Sequence, residues 1–262
     1  MRDTKTDGQA GSVLSVQKAM HVLSAFTPAL PEWGARELSG HLGLPRSVVQ
    51  RLLQTLAQGG LLEQNLATQK YRVGLRAFEI GRLYVGGNRF HREGLQVLRE
   101  MAAATTYTCY LGILDGTEAV ALAVEQGPNP VRIAGAAGDR FPAHASAFGK
   151  AILSTLADEQ VLSLLGQGPL RQLTPGSARE PGQVLQALAE ARRAGYAVSA
   201  EETYPGVTSI GCPVYGPGGK AVAALSVSLT SYELQPGMME RLGEAVIRYA
   251  AELTRRAPEG PC

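Results

Sequence analysis

Cysteine is scarce in this 262-residue chain, which has three, at positions 109, 212 and 262. An odd number without close pairing supplies neither a disulfide framework nor a zinc-ligand set, and it points to a reducing cytoplasm. Long apolar runs are missing as well: nothing approaches the ~20 residues of a membrane span. The opening MRDTKTDGQAGS also lacks the apolar stretch of a secretory signal, so a cytoplasmic location and no membrane partner are expected. Charged residues reach only 18%, below the usual quarter. Phosphate-binding and nucleophile motifs are absent in the forms that matter. Gly219-Lys220 runs into Ala221 and lacks the spacing of a phosphate loop, and no G-x-S-x-G elbow occurs. No catalytic residue, metal site or cofactor is expected. A hydrophobic content of 45% over this length suffices for one large or two medium domains with real cores.

The most informative stretch is Glu37–Tyr71, ELSGHLGLPRSVVQRLLQTLAQGGLLEQNLATQKY. Val49, Leu52, Leu53 and Leu56 recur at i, i+3, i+4, i+7 and form one apolar helical stripe. Ser47, Gln50, Arg51, Gln54 and Gln58 fall on the opposite side, and no carboxylate lies on this helix. Arginine pairs with guanine, glutamine with adenine, and serine or glutamine with phosphate. Gly43 suits the left-handed end of a preceding helix, Ala35–Leu42, and Pro45 suits the start of the next. Upstream, Val16–Phe26 reads as a helix closing the small core. Downstream, Leu61–Gln64 and Gln69–Val73 read as a hairpin carrying Lys70 and Arg72 toward backbone phosphate. Together these elements spell a winged helix-turn-helix that binds double-stranded DNA, with Arg46, Ser47, Gln50, Arg51, Gln54, Lys70 and Arg72 as candidate contacts. A solvated amphipathic helix followed by an unrelated hairpin is the plainer alternative. Residues 1–74 carry +3 and the remainder −1, which fits phosphate contact at one end and a modest, salt-dependent non-specific affinity.

After Val73 the pattern changes. Leu75–Val85 is helical in period and reads as a connector that also buries surface against a partner subunit, with an ordinary core helix as the alternative. A second helix is expected over Phe90–Ala104. Strands are expected at Thr108–Leu114 and Ala119–Glu125 around the Asp115-Gly116 turn, and at Val131–Ala134, Tyr196–Ser199, Thr208–Tyr215 and Lys220–Leu229. Helices are expected at Ser146–Leu156, Asp158–Leu165, Gly182–Ala194 and Met238–Arg256. The fold class is therefore α+β with a mainly antiparallel sheet flanked by helices.

HASAFGKAIL (144–153) and GYAVSAEETYPGVTSIGCPVY (195–215), preceded in order by GLPRSVVQRLLQTL and YRVG (71–74), resemble the IclR family of bacterial transcriptional regulators. The resemblance spans roughly residues 13–256. It implies a flexible tail (1–12), a winged helix-turn-helix domain (13–74), a linker helix (75–89), a GAF-like effector-binding domain (90–256) and a second flexible tail (257–262). It also implies a homodimer or dimer of dimers, acting on operator DNA under control of a small molecule, with repression the expected sign.

The family's effector pocket maps onto Ala147, Phe148, Ser199, Ser209, Ser226 and Ser228. Phe148 stands where the family often has a small residue, so it narrows the pocket or gives it an aromatic wall. Ser199 stands where the family has an aspartate, which removes a fixed negative charge and leaves the effector class open. Serine hydroxyls, with backbone N–H groups at the start of the Ser146 helix, favour a carboxylate-bearing ligand. The alternatives are that Ser226 and Ser228 bond within the sheet or face solvent, and that Ser146 merely caps its helix. Two further readings remain open: a C-terminal domain that only oligomerises and senses nothing, and an enzyme built on His144, Ser146 or Cys212 with Glu201 or Glu202.

Overall fold

The computed structural model describes residues 13–86, 89–257 and 259, so both expected tails lie largely outside the described residues. The chain divides into two compact units, residues 1–87 and 88–262.

In the first unit, α1 (Leu14–Ser24) starts and ends two residues earlier than its periodicity suggests. α2 (Ala35–Leu42) and α3 (Arg46–Gln58) flank Gly43, which ends α2 at φ 64°, a left-handed turn that glycine adopts at little cost. Glu37 helps to start α2 by accepting the Gly34 N–H at 3.0 Å. β2 (Leu62–Gln64) and β3 (Tyr71–Val73) form the expected hairpin. A short strand unforeseen from sequence, β1 (Glu32–Trp33), adds to the other edge of β3 and gives the order β1-β3-β2. It is legible only in three dimensions, because Trp33 is fixed by donating from Nε1 to the Ala25 carbonyl at 2.8 Å. Val22, Trp33, Leu38, Val49, Leu53, Leu56, Leu62 and Tyr71 make the buried core, as the α3 stripe requires. α4 (Leu75–Gly86) follows, and none of its side chains is buried. The core-helix alternative for this segment is thereby excluded within the chain.

The second unit is a six-stranded antiparallel sheet between two layers of helix. Its strands are β4 (Thr108–Asp115), β5 (Glu118–Glu125), β6 (Arg140–Pro142), β7 (Ala197–Ala200), β8 (Val207–Tyr215) and β9 (Ala221–Thr230), in the order β6-β5-β4-β9-β8-β7. α5 (Arg89–Thr105) and α9 (Met238–Arg256) cover one face. There Phe90, Leu98, Met101 and Leu253 pack on Leu111, Ile210, Leu225 and Val227. α6 (Ala147–Leu153), α7 (Asp158–Leu165) and α8 (Pro181–Ala194) belong to the other face. Because side chains alternate along a strand, Tyr110, Ser226 and Ser228 point to the α6 side while Cys109, Leu111, Leu225 and Val227 point to the α5–α9 side.

Three expectations need correction. Val131–Ala134 is not a strand. Pro128 and Pro130 bracket a local turn in which Asn129 Oδ1 accepts the Val131 N–H at 2.7 Å, and the edge of β5 is taken by β6 instead. The Ser146 helix is also shorter than expected. Ser146 is its cap rather than its first residue, and α6 ends at Leu153. At the C-terminus, Ala257 was assigned to a frayed tail but is fully buried in the α5–α9 core.

Candidate nucleic-acid interface and ligand pocket

The outward face of α3 is built by the burial of its other side. With Val49 and Leu53 fully buried, Arg46, Ser47, Arg51 and Gln54 stand exposed, and α3 has no acidic residue. Neither Arg46 nor Arg51 is held by an ion pair among the described residues. Gln50 is half-buried and donates a long 3.4 Å hydrogen bond to the Tyr71 hydroxyl, so it is partly committed to the hairpin. Lys70 and Arg72 are not free cations either. Lys70 Nζ pairs with Glu37 at 3.0 Å and Arg72 pairs with Glu63. The Gly34 N–H that donates to it, and after that Lys70, hold the Glu37 carboxyl below its ordinary pKa. Exposed pairs of this kind contribute little to stability, so phosphate can displace either carboxylate.

On the α6 face of the sheet lies a small cavity of about 30 Å³, bounded by twelve residues that include Ala147, Phe148, Ser209, Ser226 and Ser228. Five of the six sequence-derived pocket residues therefore come together. Ser199 does not line it: its hydroxyl donates to the Ala145 carbonyl at 2.6 Å, tying β7 to the turn before α6. α6 seats close to the sheet because two strand positions have no side chain. A Cβ on Gly211 would lie 2.5 Å from the Ala147 carbonyl oxygen, and one on Gly112 would lie 2.3 Å from the Phe148 ring. Gly112 thus makes the room that the large residue at 148 needs.

The three serines differ. Ser209 and Ser228 are cross-strand partners whose hydroxyls bond each other at 2.7 Å. Ser226 is 1% exposed, faces the cavity, and its hydroxyl has no hydrogen-bond partner among the described residues. The bland alternative of bonding within the sheet therefore holds for Ser228 and fails for Ser226. Ser146 Oγ accepts the Gly149 N–H at 3.2 Å, capping α6. α6 itself is only seven residues long. Both facts weaken the helix-start argument for an anion and leave the hydroxyls to carry it.

Sequence reasoning missed Tyr110, Ile133, Phe141, Thr203, Tyr204 and Val207, which complete the lining. One signal was available: Tyr110 is a lone aromatic in an apolar strand run, and β-register sets it directly across from Ser226. Burial, then the neighbouring Tyr204 and Asp139, push its phenol pKa up, so it stays protonated. No lysine, arginine, histidine, aspartate or glutamate lines this cavity.

A second cavity, of about 260 Å³, is lined by His144, Lys150, Arg179 and Glu202 among others. Lys150 is 2% exposed and pairs with Glu202. Burial pushes the lysine pKa down and the glutamate pKa up, and their mutual attraction opposes both. The Ser177 hydroxyl donates to the Glu202 carbonyl at 2.6 Å and Thr174 donates to that of Glu201 at 2.6 Å, fixing the segment that carries Thr203 and Tyr204 into the first cavity. None of this resembles a nucleophile and its base. The His144 ring meets the Arg171 carbonyl at 3.1 Å. Burial raises the thiols of Cys109 and Cys212 to about 12, which leaves them protonated and inert. Among the described residues no cluster could hold a metal ion, and no helix is long and apolar enough to cross a membrane.

Comparison with known proteins agrees with this division. The IclR helix-turn-helix domain matches residues 15–66, and the bacterial transcriptional regulator IclR C-terminal domain matches residues 86–255. The HTH-type transcriptional regulator XynR of Escherichia coli (strain K12) is 30% identical over 243 residues, 93% of this chain and 96% of the relative. The HTH-type transcriptional repressor AllR of the same strain is 31% identical over 218 residues, covering 83% of this chain and 80% of the relative. An IclR transcriptional regulator from Alicyclobacillus acidocaldarius superposes with a TM-score of 0.84 at 26% identity, covering 94% of this chain and all of that one. These relatives are transcriptional regulators, not enzymes. The chain belongs to the IclR family: a transcriptional regulator that binds DNA through its helix-turn-helix and carries a C-terminal effector-binding domain.

Proposed function

We propose that this regulator represses transcription and is controlled by a carboxylate-bearing metabolite held in the hydroxyl-lined cavity of the second unit. The observation that carries the reading is Ser226, whose hydroxyl faces the cavity in mid-sheet without a protein partner. A hydroxyl so placed can donate to a carboxylate oxygen. Repression is favoured by the kinship with a relative named as a repressor. On the DNA side, Arg46, Ser47, Arg51 and Gln54 read the major groove, Gln50 contributes in part, and Lys70 and Arg72 exchange their carboxylates for phosphate. We assign no ligand contact to Ser199, whose hydroxyl is already spent on Ala145.

Support for a homodimer, or a dimer of dimers, comes from α4. Leu75, Phe78, Ile80 and Leu83 are each more than half exposed, an apolar surface that a second copy would cover. Two copies present two recognition helices to half-sites about one helical turn (~34 Å) or multiples apart. A ligand that favours one pairing of the second units would change that spacing. The scaffold-only alternative leaves Ser226 and the cavity without a role.

The test is fluorescence anisotropy of the purified protein on duplex fragments from its own genome, with and without a panel of small carboxylic acids. The reading expects at least one fragment to bind and at least one acid to alter that binding. Intact DNA binding indifferent to every acid that stabilises the protein would favour the scaffold alternative.

A further inference from the structure

We propose that the second cavity is a ligand site in its own right, one that takes a small hydroxylated monocarboxylate. It shares no lining residue with the serine-lined cavity. At about 260 Å³ it comes close to the usual range of small-molecule sites (~300–1,000 Å³). The observation behind the proposal is the Lys150 ammonium. This residue is only 2% exposed, yet Glu202 Oε1, at 2.5 Å, is the one partner of its Nζ among the described residues. An ammonium has three N–H donors, and a buried ion pair repays its desolvation only where the remaining protons are met as well. Two donors are thus left for an occupant of the cavity that Lys150 lines. Three further lining groups have unused capacity. Arg179 is exposed, and its guanidinium has no partner among the described residues. Gln183 spends its amide oxygen on the Arg179 and Glu180 N–H groups, at 2.7 and 3.3 Å, which leaves its NH₂ as a donor. His144 Nε2 meets the Arg171 carbonyl at 3.1 Å, so the proton sits on Nε2 and Nδ1 is an acceptor in the neutral ring. Burial, which lowers the His144 pKa, keeps the ring neutral.

The charges and donors set the class of ligand. Lys150 and Arg179 stand against Glu202 in the lining, and Glu190, which also acts on Lys150, stands outside it. One negative charge therefore balances the lining, and a dianion overshoots. Lysine, arginine and glutamine N–H groups suit a carboxylate, which arginine can hold with two parallel bonds. The His144 acceptor calls for a hydroxyl on the same molecule, and Val184 and Ala187 give a short carbon chain an apolar wall. The site also adjoins the first cavity through the chain itself. Glu202 lines the second cavity, while its neighbours Thr203 and Tyr204 line the first. α6 is shared in the same way, with Ala147 and Phe148 in one lining and Lys150 in the other. Glu201, just before this segment, is held at φ 56°, a conformation that residues other than glycine seldom adopt. Such strain persists only where its surroundings enforce it, and it gathers at ligand sites.

The experiment is calorimetric titration of the full-length protein with L-lactate, propionate and inorganic phosphate, repeated in Arg179→Gln, His144→Gln and Ser226→Ala. Lactate should bind about fivefold more tightly than propionate, which lacks the hydroxyl, and more tightly than phosphate, which carries the greater charge. Arg179→Gln removes an exposed side chain on which the fold does not depend, and should weaken lactate by about tenfold. His144→Gln, whose amide can still donate to the Arg171 carbonyl, should erase the preference for lactate over propionate. Ser226→Ala should leave all three affinities within about twofold. Loss of lactate binding in Ser226→Ala places the ligand in the serine-lined cavity and overturns the second site. Lactate affinity indifferent to Arg179→Gln overturns it too, as does the absence of binding by all three probes, the result of a cavity that holds water only. A preference for phosphate that Arg179→Gln abolishes keeps the site and overturns the monocarboxylate class. DNA enters none of these readouts, so failure of the effector reading above and failure of this site are told apart.

Discussion

Arg51→Ala separates a base-reading arginine from a decorative one, because the fold asks nothing of this side chain. Arg51 is exposed on α3. Its contribution to the helix is a backbone carbonyl that accepts the Thr55 hydroxyl at 2.9 Å, and alanine preserves it. Alanine is also the better helix former, so the stability change should stay within about 0.5 kcal/mol, as for other surface substitutions. A bidentate arginine on guanine is worth ~1–3 kcal/mol of discrimination, or about 5- to 150-fold per half-site, and a dimer engaging two half-sites doubles the free energy. If Arg51 touches phosphate instead, affinity falls alike on all sequences. The slope of log K against log salt then becomes shallower by ~0.9 for each arginine lost. Anisotropy on a bound genomic fragment and on its scrambled control, repeated over a salt series, distinguishes the two. A folded Arg51→Ala protein with unaltered affinity and unaltered salt slope would remove Arg51 from the interface and with it the groove-facing orientation assigned to α3.

Four further outcomes follow from the same geometry. Glu63→Gln, which frees Arg72 from its carboxylate, should strengthen non-specific DNA binding and steepen the salt slope by up to ~0.9 per copy; an unchanged slope would mean that the wing does not reach phosphate. Ser226→Ala combined with Ser228→Ala should leave DNA affinity intact and blunt the response to whichever acid acts on the wild type, read by anisotropy. Lys150→Met should cost ~3–5 kcal/mol in denaturant unfolding, because it leaves Glu202 beneath the surface without its partner, whereas Lys150→Met with Glu202→Leu should recover much of the loss. Finally, burial holds His144 and His91 below the ordinary histidine value of 6.5, so the unfolded chain binds more protons in the window just beneath it. Their contribution to stability is complete above about pH 6.5 and is lost as the pH falls through the lowered values; melting temperatures from pH 7.5 downward should drop, and less so in His144→Asn.

Much of the first unit was legible because its signals are local. The α3 stripe, Gly43 and the hairpin residues each declare their conformation within a few positions. β1 was not, since two residues carry no periodicity and Trp33 owes its place to a carbonyl eight residues back. In the second unit the Asp115-Gly116 hairpin and the β8–β9 pairing were readable from turn residues and apolar alternation. β6 was hidden because Arg140–Pro142 is chosen by the free edge of β5 rather than by its own composition. The pocket shows the same split. Ser226 and Ser228 stand out as hydroxyls alternating in an apolar strand and Ser209 is reached through the family resemblance, whereas Phe141 and Tyr204 reach the cavity from loops and short edges whose course no local pattern fixes. Ser199 misled because its position resembles a ligand position, while its hydroxyl is taken up by a backbone carbonyl across the turn.

The two faces of β9 explain why a binding site can sit in the middle of a sheet without dissolving it. Leu225, Val227 and Leu229 alternate with Ser226 and Ser228, so one face of the strand completes an apolar core with α5 and α9 while the other stays polar. A slip of one residue would bury both serines in that core and turn three large apolar side chains away from it, so the α5–α9 side strongly specifies the register. The α6 side packs an apolar core of its own, with the cavity set into it. It tolerates a hydroxyl without a partner at Ser226 and glycines at positions 112 and 211, which contribute no packing of their own and bring α6 and the Phe148 ring close to the sheet. Local rules are broken on that face while the opposite face obeys them, and such one-sided departures mark where stability has been given up for recognition.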